Sequence, residues 1–215
     1  MGLSLSKPPP PQDFGLVDVK SIQSEEHMST TLTIGAGCYW GTEKYIKKFE
    51  QKVPGSILRT SVGFMGPSGS KANPSYREVC TGKTGHVEVL EAHFADPQGM
   101  GRAVVYEQLL RYFFMFHDPT TMNRQGNDVG TQYASVIFVH DSMQQKIAEN
   151  VKVSLQEHVA AGRIRKYAMT SVKTEIAAAT KFYPAHHGHQ DYLAKNPGGY
   201  CNHYMRFKKW PSSDA

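Results

Sequence analysis

Across residues 31–54 the spacing of apolar side chains changes its period within a few positions. Leu32, Ile34 and Ala36 alternate with Thr31, Thr33 and Gly35, the two-residue repeat of a strand with one buried face. After Gly37-Cys38-Tyr39-Trp40-Gly41, Ile46, Phe49 and Val53 recur at helical spacing until Pro54-Gly55 ends the run. A strand that runs straight into a helix excludes all-helical and all-strand folds. Residues 57–64 and 87–94 predict further strands, and residues 65–75, rich in Gly, Pro and Ser, a loop. Val105, Leu109, Tyr112, Phe113 and Phe116 form a helical stripe that ends at Asp118-Pro119 and belongs to the core. A polar loop follows at 120–132, long enough to suggest a functional segment. Residues 135–140 predict a strand, and Ile147, Val151, Leu155 and Val159 a helix ended by Gly162. A strand is expected at 168–176 and a short helix at 185–193. The irregular alternation predicts an α+β fold. It is expected to be a single domain over 31–215, with a central mixed β-sheet packed with helices and a long Gly-rich coil at the C-terminus.

Of the 215 residues 40% are hydrophobic and 20% charged, which suffices for a core without cross-links and excludes collagen-like or wholly disordered chains. The longest apolar stretch, at 109–116, is interrupted by Arg111 and falls far short of the ~18 residues of a membrane span. The net charge of +5 is scattered. Lys44, Lys47, Lys48 and Lys52 mix with Glu43 and Glu50, and no basic stripe interleaves with aromatics, so no nucleic-acid partner is expected. An odd set of three cysteines without a signal-peptide pattern argues against a secreted disulfide framework and for the cytoplasm.

Residues 1–30 are expected to form a flexible tail, with a polyproline run at Pro8-Pro9-Pro10-Pro11. Met1-Gly2-Leu3-Ser4-Leu5-Ser6 fits the N-myristoylation pattern at Gly2, although so short a pattern also arises by chance. A single acyl chain there would give only weak peripheral membrane association.

Cys38 lies between the first strand and the first helix. Unpaired N–H groups of a helix N-terminus stabilise an anion, so Cys38 is expected to have a lowered pKa and to be nucleophilic. Taken alone, the pattern fits a small buried residue equally well. Glu88 shares strand parity with Leu90, Ala92 and Phe94 and so points into an apolar face. There its carboxyl would stay protonated and could act as a general acid, unless it sits at the sheet end within reach of water. Cys201 follows Gly198-Gly199-Tyr200, a segment whose glycines suit a second sulfur that must approach an oxidised first one. Cys80, entering a Thr-Gly turn, is taken as structural.

Gly37-Cys38-Tyr39-Trp40-Gly41 resembles the Gly-Cys-Phe-Trp-Gly signature of A-type peptide methionine sulfoxide reductases. The resemblance continues in order over roughly residues 31–205. It runs through Asn73-Pro74-Ser75-Tyr76, Thr84-Gly85-His86-Val87-Glu88, His117-Asp118-Pro119-Thr120-Thr121, Gly126-Asn127-Asp128-Val129-Gly130-Thr131-Gln132-Tyr133 and Lys195-Asn196-Pro197-Gly198-Gly199-Tyr200-Cys201. It implies reduction of methionine S-sulfoxide, free or in proteins, with Cys38 attacking the sulfoxide sulfur. Glu88 would protonate the departing oxygen, and Tyr76 and Tyr133 would hydrogen-bond it. Asp128 would line the site, and Tyr39 and Trp40 would pack around the substrate methyl. Cys38 would be left as a sulfenic acid, resolved by Cys201 as a disulfide and recycled by thioredoxin. No metal and no organic cofactor is implied, and a monomer is expected.

Several positions depart from the family pattern. Tyr39 stands for the usual Phe and brings a hydroxyl that needs a partner. Residues 63–67 differ from the usual Gly-Tyr-x-Gly-Gly, and Ala134 replaces a common Arg. His186, His187 and Gly188 occupy a segment that is usually Ala-Glu-x-Tyr-His-Gln, and no second C-terminal cysteine follows Cys201. His186, His187, His189, Cys201 and His203 raise zinc as a rival reading, but their spacing matches no standard finger. A sulfoxide-binding sensor without turnover and a thiol peroxidase-like enzyme are further alternatives.

Overall fold

The computed structural model describes residues 27–212. The long strands are β1 (Thr31–Ala36), β2 (Ile57–Met65), β3 (Val87–Phe94) and β6 (Ser135–Val139). With the shorter β7 (Glu175–Ala178) and β8 (Tyr183–Pro184) they form one six-stranded sheet in the order β7-β6-β1-β3-β2-β8. Every pairing is antiparallel except β6 with β7, so the sheet is mixed. The helices are α1 (Tyr39–Lys52), α2 (Tyr76–Cys80), α3 (Arg102–Phe116), α4 (Ser142–Ala160) and α5 (Tyr192–Lys195). The fold is therefore α+β and single-domain.

The main core joins Leu32, Ile34 and Ala36 of β1 and Leu90, Ala92 and Phe94 of β3 to Ile46 and Phe49 of α1 and the Leu109, Phe113 and Phe116 stripe of α3. Val89, the neighbour of Glu88, packs instead with Met65, Val136 and Phe138 in a second cluster, so β3 is buried on both faces. Helix α3 carries its one internal cation at low cost because Glu107, one turn away, meets the Arg111 guanidinium at 2.6 Å. Asp141 caps α4 by accepting from Gln144 N at 2.8 Å and also takes Ser29 N at 2.7 Å. Met28 is buried in the core and Thr30 O accepts from Phe94 N at 2.8 Å, so residues 28–30 belong to the fold and the boundary expected after residue 30 is corrected. The polyproline run and the Gly2 acylation pattern lie outside the described residues.

Four segments differ from expectation. The strand expected at 168–176 forms only as β7, because side chains have taken the preceding backbone donors. Ala168 N gives to Asp118 Oδ2 at 2.8 Å, Met169 N to Thr120 Oγ1 at 3.0 Å and Val172 N to Gln156 Oε1 at 2.8 Å. Ahead of the Thr-Gly turn that follows Cys80 lies α2, where no helix was expected, started by a capping box between Ser75 and Glu78. The helix expected at 185–193 is split into a 3-10 turn (His187–His189) and α5, with Asp191 between them at φ 58°. The loop at 120–132 folds as a short hairpin of β4 (Arg124–Gln125) and β5 (Asp128–Val129), leading into a 3-10 turn (Thr131–Tyr133). From Asn196 to the end of the described chain there is neither helix nor strand. Among the described residues no helix is long and apolar enough to cross a membrane.

Candidate active site

Cys38 is the N-cap of α1. Gly37 before it has φ 90° and presses on Gln125, whose Cβ would lie 2.4 Å from an added Cβ, so only glycine fits the turn. The N–H groups of Trp40 and Gly41 do favour a thiolate at Cys38. They are outweighed. Burial first, and then the charge of Glu88, push the thiol well above its ordinary value. The lowered pKa expected from the helix terminus is therefore corrected: the resting residue is a thiol.

Glu88 is 1% exposed, and its Oε2 accepts from Tyr39 N at 3.1 Å. Burial pushes its carboxyl up to about 8, against the pull of that N–H and with a further push from Asp128. Near neutral pH Glu88 is thus mostly protonated, and the repulsion it would exert on a Cys38 thiolate is relieved. The expectation that Glu88 faces an apolar interior agrees with its place.

Tyr76 opens α2 and Tyr133 closes the 3-10 turn after β5. Both phenols are pushed up, by burial first and also by Glu88, so both remain hydrogen-bond donors at neutral pH. Asp128 accepts from Tyr200 OH at 3.0 Å and from Asn202 Nδ2 at 2.8 Å, and burial raises its pKa. Its charge acts on Cys38, Glu88 and Tyr133, which gathers these residues into one site. Cys80, at the end of α2, is exposed, and its thiol interacts electrostatically with Tyr76.

An aromatic cup stands beside the thiol. Trp40 stacks on Tyr192 with centroids 3.8 Å apart and on His189 at 5.6 Å. Tyr39, 1% exposed, lies 5.9 Å from Phe64 and gives its hydroxyl a partner in His189 Nδ1 at 2.9 Å. Sequence reasoning placed Tyr39 and Trp40 here but missed His189, Tyr192, Tyr200 and Asn202 as contributors. For Tyr200 and Asn202 the available signal was their place on either side of Cys201.

Cys201 is half-buried, with its Sγ 3.9 Å from His203 O. The chain after it is pinned. His203 Nε2 donates to Ala36 O at 2.6 Å, Arg206 reaches Asp118 at 3.4 Å, and Trp210 is 1% exposed against Arg111. Cys38, Cys80 and Cys201 are all unbonded, the reduced arrangement. The zinc reading finds no support in the geometry. His189 and His203 are engaged with Tyr39 and Ala36, and among the described residues no three His, Cys, Asp or Glu side chains gather as a metal site.

The family model for peptide methionine sulfoxide reductase matches residues 30–213. The peptide methionine sulfoxide reductase MsrA 1 of Synechocystis sp. is 42% identical over 93% of this chain and 82% of its own length. MsrA of Azotobacter vinelandii is 47% identical over 78% of this chain and 69% of its own. Among solved structures, Mxr1 from Saccharomyces cerevisiae in reduced form superposes with a TM-score of 0.70 at 34% identity, covering 87% of this chain and 98% of that one. Methionine sulfoxide reductase A of Corynebacterium diphtheriae gives 0.61 at 37%, covering 80% and 77%. A strand-to-helix cysteine, a buried acid on its neighbouring backbone N–H and this pattern of relatives lead to one assignment: the chain belongs to the peptide methionine sulfoxide reductase family, A type, and is an oxidoreductase.

Proposed function

We propose that the protein reduces the S epimer of methionine sulfoxide, free and in proteins, by thiol chemistry at Cys38. The observation that carries the reading is Glu88, a carboxyl 1% exposed and hydrogen-bonded to the residue that follows Cys38, where burial favours its neutral form. Oxygen leaves a sulfoxide poorly unless it is protonated. Glu88 gives the oxygen a proton as the Cys38 sulfur attacks, and the proton lost by the thiol restores the acid. Tyr76 and Tyr133 donate hydrogen bonds to the oxygen, while Tyr39 and Trp40 hold the methyl group. Asp128 lines the polar side. Methionine departs and Cys38 carries the oxygen as a sulfenic acid. The Cys201 thiol then displaces that oxygen as water and forms a Cys38–Cys201 disulfide, and thioredoxin reduces the disulfide by exchange. A resting thiol fits this order of events, because it is activated only once substrate and a neutral acid share the dry site.

The reading places a monomeric enzyme in the cytoplasm, repairing oxidised methionine. The test supplies each epimer of a methionine sulfoxide peptide with thioredoxin, its reductase and NADPH. NADPH consumption with the S epimer alone supports the proposal. Consumption with neither epimer, or equally with both, overturns it.

A further inference from the structure

The hydroxyl that distinguishes Tyr39 from the family's usual Phe has a specific destination. A buried phenol without a partner is costly. The partner here is His189 Nδ1, 2.9 Å away and 150 positions further along the chain. His189 in turn stands against three rings at once: Trp40 in a stack at 5.6 Å, Tyr76 at 4.9 Å and Tyr39 edge-on at 5.7 Å. The turn that carries it has little packing of its own. An added Cβ at Gly188 would touch only His186 Nδ1, at 3.5 Å, and Gly188 N donates to that same atom at 3.3 Å.

We propose that Tyr39 is a positioning residue for His189, its hydroxyl donating to Nδ1 and fixing the imidazole as a wall of the cup between Trp40 and Tyr76, so that sulfoxide-peptide affinity depends on this one hydrogen bond. The inference rests on the cup being the substrate site. An Nδ1 that accepts leaves the ring proton on Nε2, so the bond selects one neutral tautomer as well as one ring orientation. Burial and neighbouring His186 both disfavour the imidazolium. The groups facing the ring are Tyr39 and Trp40 of α1, Tyr76 of α2 and His186 of its own turn.

The experiment uses the full chain and a methionine S-sulfoxide peptide as probe. In the ¹⁵N-labelled protein, long-range ¹H–¹⁵N spectra should show His189 protonated on Nε2 with Nδ1 free of hydrogen. Tyr39→Phe, which restores the usual family residue, should give a mixture of His189 tautomers. It should raise KM about three- to tenfold, the range expected for one hydrogen bond, with a smaller effect on kcat. His189→Ala should raise KM similarly, and adding Tyr39→Phe to it should do nothing more. His189→Asn, whose side-chain oxygen can accept in place of Nδ1, should recover part of the affinity. An unchanged His189 spectrum in Tyr39→Phe, or additive effects of the two substitutions on KM, would overturn the proposal. A changed spectrum with unchanged KM would overturn the positioning role. Failure of the underlying site reading shows separately, as retained sulfoxide reduction in Cys38→Ser.

Discussion

The side chain of Glu88 accepts a hydrogen bond from the backbone N–H of Tyr39 at 3.1 Å, the first peptide group of the helix that Cys38 caps. One contact thus fixes the distance of the acid from the cysteine, across 49 positions of sequence. It also opposes the effect of burial on the carboxyl, which nevertheless sits near a pKa of about 8. Glu88→Gln keeps the shape and the contact through its amide oxygen but cannot deliver a proton. The reductive half-reaction should slow by about 10²- to 10⁴-fold, the usual worth of a positioned acid. In the wild type the rate should fall as pH rises through about 8. That limb should be absent in the variant. Single-turnover methionine release across pH 6–10 measures both.

The same raised pKa has a consequence for stability. In the unfolded chain Glu88 ionises near its ordinary value of 4.5, whereas in the fold it keeps its proton to about 8. Between those values the native state binds the extra proton, so this residue's contribution to stability declines as pH rises. Glu88→Gln removes the dependence. Its melting temperature relative to wild type should therefore climb steadily from pH 5 to pH 8, as followed by thermal unfolding in matched buffers.

Cys201→Ser should leave the first turnover intact and block the second when thioredoxin is the reductant. The expected product is one methionine per chain with a Cys38 sulfenic acid, detectable by mass after dimedone trapping. Normal cycling of this variant would move the resolving role elsewhere, with the exposed Cys80 at the end of α2 the next sulfur to test.

Gly41 is the tightest point of the helix start. A Cβ there would fall 2.0 Å from His203 Nδ1, in a buried ring whose other nitrogen holds Ala36 O. Gly41→Ala must displace His203 and with it the segment that bears Cys201. Overpacking of this kind costs about 1–3 kcal/mol, and more where a hydrogen bond goes too. Denaturant unfolding should show that loss, and resolution of the sulfenic acid should be altered more than the first turnover.

Much of this site was legible along the chain, because it depends on local pattern. The period change around residues 37–41 located the turn at Cys38, and parity on β3 buried Glu88. What the pattern could not carry was set by distant partners or by competing local bonds. The helix-terminus argument for an acidic Cys38 counted the N–H groups of a helix N-terminus but had no measure of burial, which decides the direction. The Tyr39–His189 contact joins residues far apart in sequence, and nothing local to either announces it. The false strand before β7 failed because side chains of Asp118, Thr120 and Gln156 claimed its backbone donors. Helix α2, by contrast, was readable from the Ser75–Glu78 capping pattern, and its shortness hid it.

The central claim is that the Cys38 sulfur takes oxygen from methionine S-sulfoxide and passes the oxidation to Cys201. Fully reduced protein, mixed with a stoichiometric excess of S-epimer peptide and no external reductant, tests it most directly, with released methionine counted and disulfides mapped by mass spectrometry. The account predicts one methionine per chain, a Cys38–Cys201 linkage and no product from Cys38→Ser. Equal methionine release by Cys38→Ser, or a linkage that leaves Cys38 reduced, would contradict it.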